Sequence, residues 1–501
     1  MLPFAAAMGR SFDPQILARV QGIGLADLFS ALGDLEQRGI FRATGPGVYD
    51  FSHDLIRQAA YQQLSEPRRR LVHLQLARVL SGWPDPDGDL CGDLAHHAAL
   101  GGDSETAARA YLAAAQRCVR LFAWGEASEL CRRGIEQLPR LDRATRLHLH
   151  VELIGVEVMG KPSAQRAREI DVELLRALTA AEEAGLHKDA VRGYYLRSVV
   201  QFRSENAGGA AETSWRAVTA GRSADAITAA RSQAEAGRCL ILIEREIGKA
   251  KELLEGAHAV LVNDQDDLML TWGLGLLKRY TGESEEATRR LHQAAVLARR
   301  IDSHWEETEC LRALTLLALE QDDVPSARAL CPLLMALAVK MGEGSERPIA
   351  EALESLARVL QGDGAAEDAL DFALGRVRDA DAKGMLATVL NFAAEHDLAR
   401  GRLVRARGRA TEALAAAQAV ERQNQVAIAR ASLARVAIRA REGQSAHAEL
   451  EPLRLDLEIP FALSAHARNA VERALRELDG SPPARAENRA KIFHPTSSRS
   501  R

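Results

Sequence analysis

The chain has 501 residues, with 65 basic against 69 acidic side chains for a net charge of -4. Apolar residues make up 47% of it and aromatic residues only 4%, so the core must be built largely from Ala and Leu. Such a balance offers no cationic field for nucleic acid or an anionic membrane, and Ala-Leu cores suit closely packed helices better than a β-sandwich.

Met1–Arg10 has no basic n-region ahead of its short apolar stretch and reads poorly as a signal peptide. Residues 1–12 are expected to be the remnant of an upstream domain. Residues 13–65 have their own grammar. Asp13-Pro14 places an N-cap and a first-turn proline before Ile16, Leu17 and Val20, and Gly22 and Gly24 break that helix. Leu25, Leu28, Phe29, Leu32 and Leu35 then recur at helical spacing up to Gly39. Ile40–Ala43, the turn Thr44–Gly47 and Val48–Phe51 predict a short hairpin, the one clear β signal in the chain. Helix, helix, hairpin, helix describes a winged-helix domain.

From 66 to 480 the pattern is that of helical hairpins, and no proline occurs between Pro162 and Pro325. Gly102–Ala107, Gly282–Ala287 and Gly408–Ala413 align as copies of one turn and helix start, with Ala95, Gly275 and Gly401 seven residues before each turn glycine. Weaker copies centre on Ala210, Ala250, Ala327, Ala369 and Ala448, a wandering period of about 40 that marks stacked helix pairs. Small residues in the first helix let the second approach to about 8 Å. The register between Cys118 and Ala210 stays open, one helix there serving two pairs. After Gly480 the tail 481–501 is polar, basic and proline-bearing, and is expected to be disordered.

No run of about 18 apolar residues is evident, so no transmembrane helix is expected. Cys91, Cys118, Cys131, Cys239, Cys310 and Cys331 are scattered among apolar helical neighbours, which predicts small buried hydrophobes in a cytoplasmic protein without disulfides. Gly155–Lys161 fits the spacing of a phosphate loop, but Pro162 stands where a Ser or Thr must hold magnesium. His96-His97 and His148-x-His150 lack the i, i+3 or i+4 spacing that puts two metal ligands on one helix face. No GxSxG, HExxH or Cys–His signature is present, so no enzyme is expected.

The hairpin-to-helix junction, Tyr49–Tyr61, places His53-Asp54 at a helix N-terminus, with Phe51, Leu55 and Ile56 as core. One reading of His53 is a simple helix cap. Together with Leu64, Arg68-Arg69-Arg70-Leu71, His73, Leu76-Ala77 and Leu80, this stretch resembles the region after the ATPase core in the STAND class of signal-transduction ATPases. It is similar to the bacterial subgroup fused to cyclase, LuxR-type or SARP-type output domains, in which a winged helix precedes a TPR-like array. The resemblance covers residues 10–140 and is generic beyond. It implies that His53 and Asp54 occupy the place of the Met-His-Asp motif that senses ADP, with Ser52 in place of the Met.

The resemblance further implies a partner: an ATPase core, in cis upstream of residue 1 or in trans, that would hold ATP or ADP with magnesium; no such cofactor is expected in this chain. Its Walker strands, a LuxR-type output helix pair and a cyclase motif are all missing from the sequence. The expectation is a mostly α protein, a winged helix followed by a TPR-like solenoid, acting as a non-catalytic sensor and scaffold. The concave face of the repeats would bind a protein or a small inducer. The alternative is a DNA-binding regulator acting through Leu25–Arg38, but Asp27, Asp34 and Glu36 against Arg38 make that helix a poor partner for phosphate.

Overall fold

The computed structural model describes residues 1–480 apart from Pro46, Lys161, residues 262–266 and Glu343. The basic tail 481–501 lies outside the described residues. Helices account for 79% of the structure, arranged as stacked hairpins.

The head contains α1 (Leu2–Met8), β1 (Ser11–Phe12), α2 (Pro14–Gln21), α3 (Leu25–Gln37), β2 (Phe41–Gly45), β3 (Val48–Phe51) and α4 (Asp54–Gln62). Asp13 caps α2 as expected, its carboxylate accepting from the Gln15 N–H. The three strands form an antiparallel sheet in the order β1-β3-β2. The hairpin is the one read from sequence, with a register irregularity between Ala43 and Gly45. The third strand is a two-residue segment, too short to carry an alternating pattern, which pairs Ser11 with Asp50 and Phe12 with Tyr49. Residues 2–12 therefore sit inside the head: Ala5, Ala6 and Phe12 share its core with Leu17, Leu28, Leu32, Phe41 and Phe51. Phe41 packs edge-on to both Phe12 and Phe51, with ring centroids 4.9 and 4.8 Å apart.

The array begins with α5 (Glu66–Ser81), α6 (Cys91–Gly101), α7 (Ser104–Arg120), α8 (Trp124–Ile135) and α9 (Arg143–Met159). Helix α7 packs on α6 and also on α8 and α9, so one helix does serve two pairs. The glycine at the end of α6 is required by close approach: a Cβ on Gly101 would stand 2.9 Å from the Leu74 backbone on α5. Backbone cannot step aside as a side-chain end can. Gly101→Ala is expected to cost about 1–3 kcal/mol, measured as a lower urea midpoint with an unchanged m-value.

Beyond α9 the small-residue ladder is more regular than the sequence suggested. Ala210, Ala250, Ala287 and Ala327 are all fully buried near the starts of their helices. Ala369 is only half-buried and Ala448 is exposed, and the buried alanines nearest them are Ala366 and Ala446. The copy placed on Gly408–Ala413 is displaced by seven residues. Gly408 lies inside the helix Leu403–Ala419, and the left-handed turn is made by Gly401, with φ of 74°. The matching anchor is Ala406, buried like Ala413. Seven residues are two helical turns, so an Ala-rich helix satisfies the same small-residue pattern twice. With Ala366, Ala406 and Ala446 as anchors, the spacing settles at 37 to 40 residues.

One helix among the described residues, Val324–Met341, is long and apolar enough to cross a membrane. Ser326, Arg328 and Lys340 interrupt its apolar run, which is why no span is expected from sequence. It buries Ala327, Cys331, Leu334 and Ala338 on one face and carries Pro332 in its middle.

The chain divides into two compact units: Met1–Leu240 with Glu252–Gly273 and Ala294–Glu307, and Ile241–Lys251 with Leu274–Gln293 and Thr308 onward.

Candidate functional site

His53 is the N-cap residue of α4, but its side chain makes no capping hydrogen bond. It is exposed, as is Asp54. Asp54 is held by its own helix: Arg57 Nε donates to Oδ1 at 2.7 Å and Gln58 Nε2 to Oδ2 at 2.6 Å. Those two hydrogen bonds, Arg57 first, keep its carboxyl below the usual carboxylate range. The adjacent residues depart from the expected core. Phe51 is buried and Ile56 half-buried, but Leu55 is 77% exposed. On α3, Leu28 and Leu32 point inward while Leu25 and Phe29 face solvent, Phe29 with 78% of its surface free. The head thus carries exposed apolar side chains on two helices, and the His53 side chain makes no capping hydrogen bond.

The phosphate-loop spacing at Gly155–Lys161 falls on the last turns of α9, where Gly155 packs against Leu196. Its lysine lies outside the described residues. Of the paired histidines, His97 is buried and His96 exposed. His97 Nδ1 meets Nδ1 of His73 at 2.9 Å, and Tyr61 OH lies 2.8 Å from His73 Nε2. Half-exposed His148 reaches Asp189 at 2.8 Å, away from this pair in sequence and partner. Among the described residues no three His, Cys, Asp or Glu side chains converge to hold a metal ion. Cys131, Cys239, Cys310 and Cys331 are buried, Cys91 and Cys118 half-buried, and all six are free thiols.

A cluster with no counterpart in the motifs lies in the first unit. Helix Ala226–Leu242 carries Glu235 and Arg238, helix His187–Arg203 carries Arg192 and Tyr195, and helix Leu268–Thr281 brings Trp272. The Arg238 guanidinium carbon stands 4.5 Å from the Trp272 ring centre and 5.9 Å from that of Tyr195. Tyr195 OH donates to Glu306 at 3.0 Å, and Trp305 meets Trp272 edge-on at 5.9 Å. Burial pushes the Glu235 carboxyl up to about 7, against the pull of Arg192 and Arg238. One signal was legible beforehand: Arg238 is the lone charge in the stretch Ala236–Leu242. Its neighbours are 43 and 34 residues away, and no spacing rule connects them.

In the second unit a notch lined by Glu320, Asn391, Glu395, Gln425, Ile428 and His466 has room for about one water molecule. Asn391 Nδ2 donates to both Gln425 oxygens, at 2.9 and 3.0 Å, while its own Oδ1 is buried without a partner.

No family model matches the chain, and no curated protein matches it. Solved structures similar to it include a STAND protein with a tetratricopeptide repeat sensor from Pyrococcus horikoshii, at 12% identity and a TM-score of 0.39 over 75% of this chain. A Rap protein complexed with competence and sporulation factor aligns at 13% identity and a TM-score of 0.47, over 74% of this chain and 99% of that one. The chain spans 62% of the STAND protein's length. The assignment of stacked helical hairpins rests on the chain's own elements and their packing.

Proposed function

We propose that this chain is the non-catalytic sensor and scaffold of a cytoplasmic signal-transduction ATPase regulator. The repeat array receives a protein or small-molecule inducer. The head, with its winged-helix order of elements, docks on an ATPase core that itself binds ATP or ADP with magnesium. The observation that carries the reading is His53: a histidine at a helix N-terminus, exposed and with no side-chain hydrogen bond among the described residues, directly ahead of the array. Exposed Leu25, Phe29 and Leu55 support a docking role for the same head. α3 also exposes Asp27, Asp34 and Glu36, which leaves the DNA-binding alternative without a cationic face.

The test is to supply a STAND-class ATPase core fused upstream or in trans. A nucleotide-dependent interaction with this chain is expected, and His53→Ala is expected to speed ADP release. Unchanged ADP release in that variant removes His53 from the sensing role, and the absence of any interaction removes the ATPase partner.

A further inference from the structure

Asn391, in the helix Lys383–Ala399 of the second unit, is 2% exposed. Its Nδ2 donates to the Gln425 backbone oxygen at 3.0 Å and to Gln425 Oε1 at 2.9 Å. A backbone carbonyl can only accept, so the amide nitrogen must face it and the other terminus is the oxygen. That Oδ1 is buried without a hydrogen bond, and Asn391 lines the notch of the second unit. A buried acceptor removed from water is costly unless a donor reaches it.

Glu395 lines the same notch one turn further on, since residues four apart share a helix face. Its carboxylate makes no hydrogen bond among the described residues: Arg435 Nη1 stands 3.7 Å away and Arg473 Nη1 3.8 Å. Arg435 Nε donates instead to Glu477 at 2.8 Å. Glu320, at the end of the helix His304–Glu320, is by contrast engaged, with Arg279 donating to its two oxygens at 3.0 and 2.6 Å. Phe392 stacks on His466 with ring centroids 5.5 Å apart, and both rings line the notch. Two acceptors without donors, one of them anionic, therefore meet at one small space beside an aromatic pair.

We propose that this notch binds a primary ammonium group, its N–H groups donating to Asn391 Oδ1 and the Glu395 carboxylate. Size narrows the class. The notch has room for about one water molecule, which suits an ammonium head and is too small for a guanidinium or a quaternary ammonium. A metal ion does not share the fit, because no three His, Cys, Asp or Glu side chains converge among the described residues. Glu320, Phe392, Glu395 and His466 are only half-buried, so the body that bears the ammonium can lie outside the notch. A free alkylamine and the N-terminus of a peptide share this chemistry. The inference deepens the reading of the array as the receiver of an inducer, and rests on that reading for its biological role.

The test uses the full chain, followed by titration calorimetry and by thermal unfolding at constant ionic strength. Probes are n-butylammonium chloride and a tripeptide amide, the latter with its amino terminus free or acetylated. Butylammonium or the free peptide is expected to bind saturably and raise the unfolding midpoint, whereas the acetylated peptide, tetramethylammonium and potassium are not. A response to butylammonium alone identifies an alkylamine as the ligand, and a response to the free peptide alone identifies a chain terminus.

Glu395→Gln keeps the shape of the side chain and removes its charge, and is expected to weaken binding about tenfold or more. Asn391→Leu removes the buried acceptor and is expected to weaken it as well. If Asn391→Leu does not fold, Glu395→Gln and the comparison of free with acetylated peptide decide the matter. No saturable response to either amine, an equal response to the acetylated peptide, tetramethylammonium or potassium, or unchanged binding in Glu395→Gln overturns the proposal. If the amines fail while His53→Ala still alters ADP release, the ligand class falls and the sensor reading stands.

Discussion

Asp397→Ala is expected to destabilise the second unit by about 3–5 kcal/mol. Asp397 is wholly buried in the helix Lys383–Ala399. Its Oδ2 accepts from Arg409 Nη1 at 2.9 Å and has Arg405 Nε at 3.7 Å, while Arg402 Nη1 stands 3.6 Å from Oδ1. The same arginines reach the helix Ala366–Asp379: Arg409 to Asp371 at 2.7 Å, and Arg402 to Glu367 at 2.6 Å. One carboxylate thus sits at the centre of a staple across three consecutive helices. Its removal leaves Arg409, itself buried, with only the half-exposed Asp371. A buried pair contributes little over an apolar replacement, but a buried charge left alone is costly. The double variant Asp397→Ala, Arg409→Met should therefore recover much of the loss. Urea unfolding checks both, and a loss below about 1 kcal/mol in the single variant would show that solvent already reaches the site.

Acid should loosen the junction between head and array well before general acid denaturation. His73 and His97 are both buried, and burial together with neighbouring histidines lowers them to about 4 and about 3. In the unfolded chain they titrate near 6.5. The folded state therefore binds fewer protons than the unfolded state between these values. Stability is fully present above pH of about 6.5 and is lost as pH falls through about 4. For His73 alone the loss is on the order of 3 kcal/mol.

The geometry explains the limit. With neutral rings, one Nδ1 donates and the other accepts across 2.9 Å, and Tyr61 OH completes the chain at His73 Nε2. A proton on each ring sets two N–H groups against one another. His97→Asn, which does not titrate, should flatten the fall in unfolding midpoint between pH 6.5 and 5. Equal slopes in the variant and the unaltered chain would remove the pair from the acid response.

These two sites separate what a one-dimensional reading can reach from what it cannot. The helical hairpins were legible because Gly102, Gly282, Ala107 and Ala287 recur at fixed offsets from acidic cap residues, and each offset reflects a local need: a left-handed turn, a cap, a close approach. The head's helix, helix, hairpin, helix order was legible for the same reason. The Gly408 copy slipped because an Ala-rich helix repeats its small face every two turns, so local pattern alone has two equal solutions. Leu55, Leu25 and Phe29 have core-like spacing but face solvent, since spacing defines a helix face without saying whether anything covers it. Asp397 and Arg409 are only twelve residues apart, yet nothing in that interval marks them as buried.

The sequence by itself determined the elements, their pairing into hairpins and the near-40 period, because these depend on interactions within two neighbouring helices. The tertiary structure alone decided which polar groups lost their water. Arg238 faces Trp272 and Tyr195, and His73 faces His97, because stacking brings together side chains from helices that no local hydrogen-bond rule connects. Burial is a property of the packed assembly, and the chemistry of a buried charge follows from its surroundings rather than from its place in the chain.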